Sequence, residues 1–185
     1  MKKNTFILIL SLILACNKNK AQVAGQHVIE KAQPTENIVS DTIKTVSTSY
    51  NTKILSHLIS QLNKEGFVFK SEKARFIPSF PSKTENTVLI IDGPGIGDYF
   101  AKSVKPEKGT NDIYPEFKIC TFIFLTQKEA QKNFERITDA LSSHKNIETP
   151  YKILIKENQI FYLFTQEERF RAYLEKYGKT LEDYN

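Results

Sequence analysis

The stretch KICTFIFL, Lys118 to Leu125, restricts most what this chain can become. It is apolar on both faces, the pattern of a buried strand, and it runs without a loop into Thr126-Gln127-Lys128-Glu129. A threonine followed three residues later by glutamate is a capping box, in which each side chain satisfies an orphan backbone donor at a helix start. Ala130, Phe134, Ile137 and Leu141 then fall on one helical stripe. A strand that turns directly into a helix calls for a layered domain built from both.

The rest of the chain fits around that unit. In NTKILSHLISQLNKEG the residues Ile54, Leu55, Leu58, Ile59 and Leu62 share one helical face, with Asn51 or Thr52 as cap and Gly66 as stop. His57 sits beside that face as a packed or boundary histidine. Phe67-Val68-Phe69 reads as a strand. Pro78 and Pro81 limit any piece after Arg75-Phe76-Ile77 to a sheet edge. Thr87 to Asp92 is a buried strand, the glycine loop follows, and Asp98 to Val104 suggests a short helix. Lys105 to Glu116 reads as a long surface loop.

Tyr151 to Lys156 and Gln159 to Phe164 make a hairpin with Glu157-Asn158 at its turn, where asparagine tolerates the left-handed conformation. Thr165-Gln166-Glu167-Glu168 then repeats the capping device. It opens a helix bearing Phe170, Tyr173, Leu174 and Tyr177 and ending at Gly178. FLTQKE and LFTQEE lie 39 residues apart, yet they match only at the cap, so they read as two independent caps. The order predicts an α+β two-layer sandwich: a largely antiparallel sheet of four to five strands with helices packed on one face.

The N-terminus places the domain. Lys2 and Lys3 precede FILILSLILA, an uncharged run whose ten residues at 1.5 Å rise cover half a bilayer core, so it is a signal-peptide core and not a span. Ile13-Leu14-Ala15-Cys16 resembles the lipobox of bacterial lipoproteins, although Leu14 is larger than the residue usual there. The resemblance covers residues 1 to about 20. It implies that residues 1–15 are removed and that Cys16 carries a diacylglyceryl group. Two acyl chains suffice for stable anchoring, at about 0.8 kcal/mol per buried methylene. The protein is then expected in a bacterial cell envelope, lipid-anchored and periplasm-facing. Residues 16–50, rich in Lys, Asn, Gln, Thr and Ser, read as a flexible tether that includes His27, and residues 51–185 as the globular domain. With Cys16 lipidated, Cys120 has no disulfide partner and reads as a small buried hydrophobe.

Few chemistries fit what remains. Residues 51–185 hold 20 Lys and Arg against 18 Asp and Glu, a surplus too small to mark a nucleic-acid binder. The loop Asp92-Gly93-Pro94-Gly95-Ile96-Gly97-Asp98 lacks the sixth-position glycine of a dinucleotide fingerprint and the Gly-Lys-Ser/Thr of a phosphate loop. Pro94 and Ile96 occupy positions where a calcium loop needs oxygens. His27, His57 and His144 lie far apart, and no HExxH, GxSxG, SxxK or CxxC occurs. No catalytic residue, metal, nucleotide or other cofactor is therefore expected.

The remaining candidate is a recognition loop comprising Tyr99, Phe100, Lys102, Lys105, Lys108 and Tyr114, since aromatic and basic residues on loops favour contact with protein or glycan. The alternative is a solvated loop whose aromatics tuck into the core. The function expected is a membrane-tethered, non-catalytic binding or interaction module, an assembly accessory or immunity-like inhibitor. The competing reading is an envelope hydrolase using carboxylates near Asp92 and Asp98.

Overall fold

The computed structural model describes residues 39–47, 52–72, 77–143 and 149–184. Residues 1–15, read above as a signal peptide, and Cys16, His27 and His144 lie outside them. The chain is an α+β protein with a five-stranded antiparallel sheet and a smaller three-stranded one. In chain order its elements are β1 (Val39–Lys44), α1 (Thr52–Lys64), β2 (Phe67–Ser71), β3 (Ser79–Ser82), β4 (Thr87–Asp92), β5 (Ile96–Ser103), β6 (Glu116–Ile123), α2 (Gln127–Ser143), β7 (Tyr151–Lys156), β8 (Gln159–Phe164) and α3 (Arg171–Glu182). The large sheet runs β2-β5-β6-β8-β7 and the small one β1-β4-β3. Among the described residues no helix is long and apolar enough to cross a membrane.

The central strand β6 explains the layering. Its alternate residues Phe117 and Ile119 join Ile54, Leu58 and Leu62 of α1 and Leu174, Tyr177 and Leu181 of α3 in one core. Cys120 and Phe122 turn the other way and pack with Ile137 and Leu141 of α2 and with Ile43, Leu89 and Ile91 of the small sheet. A strand apolar on both faces must be covered on both. The expectation of helices on a single face is corrected accordingly: α1 and α3 lie on one side of the large sheet, and α2 with the small sheet on the other.

Three local outcomes differ from the periodicity. Asp98 to Ser103 belongs to strand β5, not to a helix, because β2 and β6 pair with it on both sides. The second threonine device does not cap a long helix: Thr165 is buried and donates to Glu116 O at 2.9 Å. A short 3-10 turn, Glu168–Phe170, precedes α3, which continues through Gly178 to Glu182. A Cβ at Gly178 would sit 2.8 Å from the Lys152 side chain, so this glycine lets α3 approach β7. At the β7–β8 turn the left-handed residue is Glu157, with φ 54°, and not Asn158. By contrast Thr126 Oγ1 accepts from Glu129 N at 3.1 Å, the cap read from the sequence.

The segment Val39–Lys44, within the stretch that composition assigns to the tether, is a strand. It pairs parallel with β4 from Val39–Thr87 to Lys44–Asp92. Its polar alternation hides one core residue, Ile43, which is 4% exposed.

Candidate functional site

Thr45 explains the glycine loop. Its N–H donates to Asp92 O at 2.8 Å, its hydroxyl donates to the same oxygen, and that hydroxyl accepts from Gly95 N at 3.2 Å. Val46 N donates to Ile123 O while Ile123 N donates to Gly95 O. The loop is thereby laced to both sheets where the chain passes from β4 to β5. Of its three glycines only Gly93 has positive φ, at 124°. Gly95 is required by crowding, since a Cβ there would stand 2.4 Å from Val46 O. Gly97 is similarly crowded by Thr121 Oγ1 at 2.5 Å. The Gly95 amide, which a phosphate would need, is already used.

The two loop aspartates occupy different settings. Asp92 is exposed and pairs with Lys44 at 2.5 Å, and that hydrogen bond holds its carboxyl below the usual range. Asp98 is 7% exposed. Burial raises its pKa, with Lys118 opposing the shift, and Cys120 Sγ donates to its Oδ1 at 3.8 Å. Burial also pushes the Cys120 thiol up to about 12, so the thiolate a nucleophile requires is suppressed.

The six candidate loop residues fall into three places. Tyr99 faces the α1 side, where it stacks on Phe69 with centroids 5.0 Å apart. Phe100 and Lys102 alternate to the opposite face of β5. Only Lys105, Lys108 and Tyr114 lie in the β5–β6 loop, and all three are exposed. That loop is ordered by Glu107 N to Ile113 O at 2.6 Å and by Tyr173 OH donating to Glu107 Oε2 at 2.9 Å.

Phe100 leads to a larger surface. Strand register places Lys70, Phe100, Lys118, Phe164 and Tyr151 side by side in one row across all five strands of the large sheet. The next row outward is Val68, Lys102 and Glu116. The row inward is Asp98, Cys120, Tyr162 and Ile153. Beyond that, Ile96, Phe122, Ile160 and Ile155 belong to the core under α2 and the small sheet. This face is therefore closed at one end and open at the other.

Two recesses flank Phe100 on the open part. One, of about 130 Å³, is lined by Phe100, Glu116, Phe117, Lys118, Phe164, Thr165, Gln166 and Glu167. The other, of about 230 Å³, is lined by Val68, Lys70, Phe100, Lys102, Ser103 and Val104. Lys118 donates to Glu72 and Lys102 to Glu116, each at 2.8 Å, while Lys70 pairs with no described carboxylate. The surface is an aromatic floor with hydrogen-bonding charges held in place around it.

Lys70, Lys118 and Phe164 were missed by the sequence reading. The signal for Lys118 was present, as a lysine between Phe117 and Ile119 in an otherwise buried strand. No group of three or more metal-ligating side chains occurs among the described residues. Comparison with protein-family models, with curated proteins and with solved structures found no match to this chain.

Proposed function

We propose that this chain is a lipid-tethered protein of the bacterial envelope whose domain is a non-catalytic binding module, an assembly accessory or immunity-like inhibitor. One observation carries the binding part: the Lys70–Phe100–Lys118 stretch of that row, with the two recesses beside Phe100, lies on the less covered end of the large sheet, while Phe164 and Tyr151 close the row against the core. Aromatic side chains at the centre of a recess with fixed charges at its rim suit recognition of a protein or a glycan. The tether rests on Ile13-Leu14-Ala15-Cys16 and its resemblance to a lipobox.

A hydrolase is the second reading, and the buried Asp98 carboxyl with its raised pKa and Glu72 nearby is what favours it. Affinity capture from native membranes separates the two, using the wild-type chain, Phe100→Glu and Asp98→Asn. The binding reading expects a partner retained by wild type and Asp98→Asn and lost by Phe100→Glu. Cleavage of peptidoglycan or peptide by the wild type, abolished in Asp98→Asn, would replace it with the hydrolase.

A further inference from the structure

Strand β2 forms one edge of the large sheet. Two hydrogen bonds of 2.8 Å, Val104 N to Gly66 O and Glu72 N to Asp98 O, fix which backbone groups face β5. Antiparallel ladders alternate, so Val68 and Lys70 also turn their polar groups toward β5, while Phe67, Phe69 and Ser71 turn theirs outward. No described residue pairs with those outward groups. The outward backbone groups of β7, the opposite edge, also have no described partner, but that strand carries Lys152 and Lys156, whose side chains are tied to Glu175 and Glu182 of α3. An edge of unpaired donors and acceptors beside an exposed valine is a template for another strand. Val68 is 43% exposed.

We propose that β2 pairs antiparallel with β2 of a second copy of this chain, about a twofold axis at Phe69. That register sets Phe69 opposite its own counterpart and Phe67 opposite Ser71. All three outward-facing residues are then used, each pair exchanging two hydrogen bonds. On the open face Val68 of one copy meets the aliphatic stem of Lys70 of the other, so no like charges stand opposed. Centring the axis on Lys70 would place two ammonium groups face to face. Centring it on Val68 would leave only Phe67 and Phe69 paired within the strand. On the other face the pairing extends the Phe69–Tyr99 stack across the axis. An extended segment of an unrelated protein could satisfy the backbone as well, but the self-complementary side chains favour the second copy. The two open faces would then join into one surface, whether or not that surface binds anything.

The register is tested by disulfide trapping of the full chain in native membranes. Val68→Cys/Lys70→Cys should give a covalent dimer on mild oxidation, on the order of tenfold more than either single variant, because bridging needs Cα atoms within about 7 Å. The wild type, with only Cys16 and Cys120, is the blank. Purified wild type should sediment as a dimer and Phe69→Pro, which removes one outward N–H, as a monomer. Monomeric wild type at all concentrations overturns the proposal. Equal trapping of the single variants, or trapping of a different protein, does so too.

Discussion

The two faces of the large sheet are built from the same strands yet serve differently. On the α1 and α3 side Phe67 meets Phe117, Tyr173 and Tyr177 edge-on at 5.6–5.7 Å, and Tyr177 stacks on Phe117 at 5.3 Å. That face is closed along the strands. The other is packed by α2 and the small sheet through the Asp98–Cys120–Tyr162 row; in the next row Tyr151 and Phe164 still rest on that core, with Phe164 stacked on Tyr162, and Phe100 is half-buried. Rings enclosed on every side secure the fold, whereas a ring left with one side open, as Phe100 is, is available to a partner.

The closed end depends on the small sheet. A chain beginning at Ser49 lacks β1, and so loses Ile43 from the core and Thr45 from the glycine loop. Loss of one such aliphatic side chain costs about 2–5 kcal/mol, so the melting temperature should fall by about 10 °C or more relative to a chain that retains β1. Unchanged melting would return residues 39–46 to the tether.

Phe161→Ala, on the closed face and fully buried, should cost about 3–5 kcal/mol in denaturant unfolding. The same change at Phe100 should cost less, about 1–2 kcal/mol, because that ring is only partly buried. Equal losses would show that Phe100 is core.

Asp98 marks the border between the two ends, and its signature is pH dependence. Its folded pKa is raised above the unfolded value, so the native state holds the proton more firmly. That stabilisation is fully present below the unfolded pKa and is lost as pH rises through the folded one. Asp98→Asn should flatten this decline in melting temperature as the pH rises above the ordinary aspartate value of about 4. A decline that persists in the variant would assign it to another group.

Most of the single elements could be read from the chain. Helix α1, strands β4, β6, β7 and β8, and α2 with its Thr126 cap each carry a local signal. What escaped depends on distant partners. Strand β1 has one buried apolar residue and gains its order from β4. Strand β5, with Gly97 and Asp98 near its start, is held by β2 and β6. Thr165 has the same local sequence context as Thr126, yet its hydroxyl is drawn to Glu116 on a neighbouring strand. The candidate site was half legible for the same reason. Phe100 and Lys102 lie in one stretch, but Lys70, Lys118 and Phe164 join them only through register.

On the function proposed above, a partner in the envelope covers the open end of the sheet. Lysine acylation footprinting in intact membranes tests it most directly, comparing Lys70, Lys102 and Lys118 with Lys128 and Lys132 on the outer surface of α2. The first three should react several-fold more slowly in membranes than in the purified protein, while the α2 pair is unchanged. Equal reactivity of the three in both settings would contradict it.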